Sequence, residues 1–315
     1  MLNKIATILM VFTIFLVPLS ASGNNETKTT DNTKPVVAVS ILPQQYVVDR
    51  IAGDLVETVV LVGPGQSPHS YEPTPRQMSA LSQADVWILS NTDFELSLQP
   101  KVTSMYPKLL VVDGTEGVTF RYLEDHGHEE GEDGTDHNDA QEQTYQGELD
   151  RHTWLGREPM NILATHTANT LSKLDPTHAD TYTANLAVFL EEIDTLFTDL
   201  THELATLRGT TVFVYHPSFG YLLDDLGIAQ EAVETGGKEP TAKALSLLIE
   251  EARKDKVPAL FVQAQFPVSA AKSVAQAVGA QVLPLDPLAY DWIANIRLIG
   301  DTLRKALLEN GQGDD

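Results

Sequence analysis

Three histidines stand where this chain is stiff and its local structure changes. His69 lies in Ser67-Pro68-His69-Ser70-Tyr71-Glu72-Pro73-Thr74-Pro75, where prolines restrict the backbone on both sides. His152 lies in Asp150-Arg151-His152-Thr153-Trp154-Leu155, between a polar segment and a helix beginning near Pro159. His216 follows the apolar run Thr211 to Tyr215 and precedes Pro217, and Asp286 closes Val282-Leu283-Pro284-Leu285 ahead of Pro287. An imidazole in a stiff loop loses little freedom on gripping an ion, although one such histidine alone reads more readily as a surface turn residue. Three neutral imidazoles and one carboxylate suit a tetrahedral Zn²⁺ site of net charge +1. Mn²⁺ prefers more oxygen ligands, so the three histidines favour zinc. Of the nine histidines, His166, His178 and His202 fall within helical pattern and read as surface or core residues.

Residues 124–139 (EDHGHEEGEDGTDHND) form a second feature. They hold eight acids, three glycines and His126, His128 and His137, with no aliphatic residue to pack a core. The reading is a flexible acidic insertion that collects zinc weakly; the plain alternative is a solvated loop.

The elements that must position these groups follow an alternating pattern. Val36 to Ser40, Leu55 to Val62, Val86 to Leu89 and Leu109 to Val112 read as strands, with helices around Tyr46 to Ile51 and Pro75 to Ala84. The order returns with strands at Thr211 to Tyr215, Ala259 to Val262 and Val282 to Asp286, and helices at Phe219 to Leu226 and Leu245 to Arg253. Glu239-Pro240-Thr241 echoes Glu72-Pro73-Thr74. This predicts an α/β fold of two similar lobes with mostly parallel sheets flanked by helices, built from one repeated unit. At the positions paralleling His69 and His216 the other copy carries Gly236 and Leu42. Each lobe therefore supplies its imidazole from a different loop, as a site in the cleft between lobes requires. Between the copies, Asp175-Pro176 starts a helix whose apolar residues, from Tyr182 through Leu186, Phe189, Ile193, Leu196, Leu200, Leu204 and Leu207, recur every three or four positions. One long helix over 176–208, about 45–50 Å at 1.5 Å per residue, joins and braces the lobes.

Residues 1–22 read as a secretory signal peptide, with one lysine, an apolar run from Ile5 to Val17 and small residues at Ser20 to Ser22. Residues 23–34 are a polar, disordered lead-in; 35–160 form the N-terminal lobe, 161–209 the connection and 210–315 the C-terminal lobe. The 315 residues carry 21 Lys and Arg against 44 Asp and Glu, a net charge of -23 that disfavours nucleic acid as a partner. There is no cysteine, so no thiol serves as metal ligand, nucleophile or lipid anchor. An exported, extracytoplasmic and monomeric protein is expected.

Together, Pro68-His69-Ser70-Tyr71-Glu72-Pro73-Thr74-Pro75, His152-Thr153-Trp154-Leu155, His216-Pro217-Ser218-Phe219-Gly220-Tyr221, Gly237-Lys238-Glu239-Pro240-Thr241 and Asp286-Pro287-Leu288 carry a resemblance. Over nearly the whole chain after residue 34, it resembles the zinc-binding receptors of bacterial-type ABC importers. Their metal-specific solute-binding family also includes manganese receptors. The resemblance implies metal held in the interlobe cleft and passed to a membrane permease. His69, His152 and His216 match the family's three imidazole ligands, and Asp286 the carboxylate that some members use. A histidine-rich acidic loop at this place is typical of zinc-specific members. One departure is Gly156-Arg157-Glu158-Pro159, where many members have Asp-Pro; it bears on the surroundings of His152.

A zinc hydrolase is the enzymatic competitor, and the motifs disfavour it. His202-Glu203-Leu204-Ala205-Thr206 has only the first half of HExxH, Gly65 to His69 lacks the nucleophile elbow, and Gly236-Gly237-Lys238-Glu239 lacks a phosphate loop's Ser or Thr. An adhesin would need exposed apolar or aromatic patches, and the aromatic residues do not cluster outside the expected core. Imidazole ligation also implies that affinity falls below about pH 6.5.

Overall fold

The computed structural model describes residues 34–123 and 148–234, and from there to 309 all but 235–245, 247–248, 251, 255–256, 264 and 266–267. The expected signal segment, most of the lead-in, His126, His128 and His137, and the Gly236 to Thr241 echo lie outside the described residues.

The N-terminal lobe runs β1 (Val36–Val39), α1 (Leu42–Ala52), β2 (Glu57–Val60), α2 (Pro75–Gln83), β3 (Val86–Leu89), α3 (Asp93–Met105) and β4 (Leu110–Asp113). Its four strands are parallel, in the order β2-β1-β3-β4. After α4 (Arg157–Leu174) and α5 (Ala179–Glu203) come β5 (Thr211–Val214), α6 (Gly220–Leu226), β6 (Ala229–Ala232), β7 (Ala259–Val262), α7 (Val268–Val278), β8 (Gln281–Pro284) and α8 (Trp292–Arg304). The second sheet, also parallel, has the order β6-β5-β7-β8. The two orders are the same, so the repeat seen in the sequence is a repeat of topology.

Register refines that correspondence. Val39 pairs with Ile88 and Val214 with Phe261. Equivalent places in the two sheets therefore align His216 with Ile41, one residue before the Leu42 that the sequence echo suggested. Strand β6, the counterpart of β2, escapes the sequence reading because Ala229-Gln230-Glu231-Ala232 has no apolar run. Helix α3 escapes it because Pro100 lies inside the helix, although Thr92 and Glu95 form a capping box at its start.

The central strands β1, β3, β5 and β7 are largely buried on both faces, as helix-covered parallel sheets require, whereas β2, β4 and β8 at the sheet edges are only partly buried. Alternation in the second sheet divides its core. Val212, Val214, Ala259 and Phe261 join the large cluster that runs through the first lobe, α4 and α5. Phe213, Tyr215, Leu260 and Val262 join a smaller cluster with Val274 and Ala275. These residues alternate along each strand and point to opposite faces.

The expected long helix is α5, a 25-residue helix of about 37 Å, continued at either end by 3-10 turns at Pro176–His178 and Ala205–Leu207. It packs on α1 and α4 in the first lobe and on α6 and α8 in the second. Its buried stripe of Tyr182, Phe189, Ile193, Leu196, Phe197 and Leu200 follows the predicted period. Phe197 stacks on Trp292 of α8 at 6.2 Å. Gly300 lets α8 close on Leu200, because a Cβ there would collide with the leucine side chain.

Candidate metal centre

All of the site's groups issue from the carboxyl ends of parallel strands or from the segment between the lobes, where α/β sheets commonly hold ligands. His69 lies in the loop after β2. Beside it, Asn91 turns the chain with φ 59° between β3 and α3, a left-handed position that asparagine tolerates. Buried Glu95 fixes this turn, its carboxylate accepting from the amides of Ser90 (2.9 Å) and Thr92 (2.7 Å). Burial pushes the Glu95 carboxyl up to about 7. The turn presents Asp93, whose Oδ2 accepts from His69 Nδ1 at 2.6 Å.

His152 enters from the segment preceding α4. Its Nδ1 donates to Asp150 Oδ1 at 2.8 Å, and the same oxygen takes the His152 amide at 2.9 Å. Asp150 is fully buried, and its other oxygen pairs with Arg121 at 2.8 Å. Arg121 in turn reaches Asp224 of α6, also at 2.8 Å. Tyr221 fastens the same place, its hydroxyl donating to the Asp150 carbonyl at 2.9 Å. Gly220 is required here, since any side chain would strike Arg121. His216 follows β5, with its Nδ1 on Glu234 from the end of β6. Gln263, after β7, holds the His216 backbone: its amide nitrogen donates to the His216 carbonyl at 2.7 Å and to Ser218 Oγ at 3.0 Å.

Each imidazole therefore gives Nδ1–H to a carboxylate, which fixes the tautomer and leaves a bare Nε2. The three Nε2 atoms converge: His69 to His216 is 2.9 Å, His152 to His216 3.1 Å and His69 to His152 3.3 Å. Lone pairs this close repel unless a cation or proton lies among them. This is the sole group among the described residues whose candidate ligand atoms, at least three in number, all come within 4.8 Å of one another. His152 and His216 are buried and His69 is partly exposed, so the centre opens on one side. There Leu123 and Glu148, flanking the acidic histidine-rich segment, line a cavity with Asp93, Arg151 and the three imidazoles.

Electrostatics follow the geometry. The hydrogen bond from His69, helped by Arg151, holds Asp93 below the usual carboxylate range despite partial burial. Burial works to raise Asp150, but His152 and Arg121 outweigh it and hold this carboxyl low as well. Burial drives His216 down to about 4, with the His152 and His69 rings adding to the effect and Glu234 opposing it.

Of the four residues singled out as ligands, the structure brings His69, His152 and His216 together. Asp286 lies outside the nitrogen cluster. Its Oδ1 accepts from Gln265 Nε2 at 3.0 Å and from the Leu288 amide at 2.9 Å. Sequence reasoning missed Asp93, Glu234, Gln263 and Gln265, because no local spacing links them to the histidines. Asp150, two residues before His152, was the one partner within sight. His202, the start of the incomplete HExxH, is exposed on α5, and Glu203 pairs with Arg297 at 3.0 Å, away from the centre.

Two like α/β lobes on a helical spine, with a closed set of imidazoles at their junction, define a cleft-type solute-binding protein. The family described as "ZnuA: Zinc-uptake complex component A periplasmic" matches residues 37–306, and the chain belongs to it. A solved structure, "Crystal structure of ZnuA", is 33% identical with a TM-score of 0.76, covering 87% of this chain and 99% of that one. The manganese ABC transporter substrate-binding lipoprotein PsaA of Streptococcus pneumoniae is 27% identical over 287 residues, 87% of this chain and 86% of its own length. The zinc-binding protein AdcA of Streptococcus pyogenes is 25% identical over 260 residues, 81% of this chain and 50% of AdcA. The chain thus spans about half the length of the AdcA proteins it matches. Members of the family are periplasmic solute-binding proteins of transport systems rather than enzymes, which disposes of the hydrolase reading.

Proposed function

We propose that this protein is the receptor of an ABC-type metal importer, capturing Zn²⁺ at His69, His152 and His216 and delivering it to a membrane permease. The carrying observation is the convergence of three Nε2 atoms, each with its Nδ1 on a carboxylate. A cation bound at about 2.0–2.1 Å to nitrogens 2.9–3.3 Å apart sits about 1 Å off their plane, with N–metal–N angles of about 87–111°. That is a facial cap with one side left for a fourth ligand. Asp286 is our candidate for the outer partner of that fourth ligand, its Oδ1 being held by Gln265 and the Leu288 amide. Three imidazole nitrogens suit Zn²⁺ better than Mn²⁺, which prefers oxygen ligands. Manganese is the second reading, supported by the resemblance to PsaA and by angles that also admit higher coordination.

His126, His128 and His137 are proposed as auxiliary weak sites. The residues flanking their segment, Leu123 and Glu148, line the cavity beside the three imidazoles. The test is metal analysis of untagged protein purified without added metal, followed by competitive titration with Zn²⁺ and Mn²⁺. One tight equivalent of zinc that manganese displaces poorly is expected, and its loss in His216→Ala. Tight binding that survives loss of any one of the three histidines would refute the assignment.

A further inference from the structure

Strand order places a second carboxamide beside the centre. Because β7 lies between β5 and β8, the chain leaving β7 passes between the loop bearing His216 and the loop bearing Asp286. Gln263 turns to the first loop and Gln265 to the second. Gln265 also lines a small cavity with His69, His152, His216, Trp154 and Leu288. Its two ends are in unequal states. Nε2 donates to Asp286 Oδ1 at 3.0 Å, whereas Oε1 is buried with no hydrogen-bond partner among the described residues. A buried acceptor left bare in the wall of a ligand cavity awaits a donor.

Resting on the reading of the three imidazoles as metal ligands, we propose that Gln265 sets the metal's fourth position. Its Nε2 keeps Asp286 outside the coordination sphere, and its Oε1 accepts a hydrogen from a water bound to the metal. The site then offers three nitrogens and one water, a set that suits Zn²⁺. It withholds the anionic oxygen that Mn²⁺ needs to bind well. The Leu288 amide, the other donor to Asp286 Oδ1, belongs to the same loop and moves with it, so Gln265 is the tie that crosses between loops.

The variants are Gln265→Met, which keeps length and removes both polar ends, Asp286→Asn, and the pair combined. Zn²⁺ and Mn²⁺ affinities come from chelator competition, and the visible spectrum of the Co²⁺-loaded protein reports coordination number. Gln265→Met is expected to strengthen Mn²⁺ binding by about tenfold or more as Asp286 swings inward, and to weaken the intense four-coordinate Co²⁺ bands. Asp286→Asn alone should leave Zn²⁺ affinity within about fivefold, and in the pair it should cancel the Mn²⁺ gain. The proposal is overturned if Asp286→Asn costs the otherwise unaltered protein more than that about-fivefold margin in Zn²⁺ affinity. It is equally overturned if Gln265→Met leaves both the Zn²⁺/Mn²⁺ ratio and the Co²⁺ spectrum unchanged. A Gln265→Met protein that does not fold shifts the decision to Asp286→Asn, whose result stands alone. Absence of any tight site in the unmodified chain would instead remove the receptor reading itself.

Discussion

Asp150 carries two loads, and replacing it by asparagine separates them. One oxygen receives both the imidazole and the amide of His152; the other receives Arg121. An asparagine that keeps its oxygen towards His152 must turn its NH₂ towards the guanidinium, a donor facing a donor with no charge to offset it. Breaking a buried ion pair costs about 3–5 kcal/mol. Arg121 keeps Asp224 at 2.8 Å, so we expect a loss of about 2–3 kcal/mol, read as a lower urea midpoint. The loss on the metal side has a different origin. A neutral amide makes a weaker acceptor for Nδ1–H, so Nε2 becomes less basic, and Zn²⁺ affinity should fall about 10–100-fold. Asp224→Asn is the control. Its side chain is more than half exposed, so stability should change by at most about 1 kcal/mol and affinity hardly at all. An Asp150→Asn protein with unchanged midpoint and zinc affinity would refute the claim that this carboxylate orients His152.

Further predictions concern pH, packing and ligand. The His216 value near 4 lies below that of an unfolded histidine, so its contribution is complete above about pH 6.5. It is lost as pH falls towards 4, to a total of about 3 kcal/mol in the metal-free protein. Glu95, raised to about 7, acts in the opposite sense: its contribution is complete below about pH 4.5 and is lost as pH rises through 7. The two trends oppose each other in the wild type, so Glu95→Gln should expose the acid loss due to His216 in denaturation curves at pH 4–7; no difference in pH profile would count against both assignments. Gly220→Ala should destabilise by about 1–3 kcal/mol, because Arg121 must move, and a full-strength variant would show that the contact is dispensable. Saturating zinc at about a hundredfold its Kd should add about 2.7 kcal/mol, seen as a raised Tm that His69→Ala abolishes. Deleting 124–139 should remove extra weak zinc equivalents and keep one tight one; loss of both would show that the acidic segment belongs to the tight site.

The sequence by itself carried the broad architecture, because its signals are local. β-branched runs buried on both faces mark parallel strands, and a period of three to four apolar residues through Tyr182 to Leu207 marks α5. Prolines beside His69 and His216 show where those elements end. It also carried the three imidazoles, each beside a recognisable boundary. Strand β6 was invisible because Gln230 and Glu231 are held by neighbours rather than by an apolar run. What only the tertiary structure decided is the partnership of each imidazole. Asp93 lies 24 residues from His69 and Glu234 18 from His216, and no short-range rule joins them. Their meeting depends on strand order, which sets β2 and β3 on either side of β1 and puts β5 beside β6 and β7 beside β8. The same order keeps Asp286 on Gln265 and off the nitrogen cluster, because a carboxylate goes to the donors that packing brings to it.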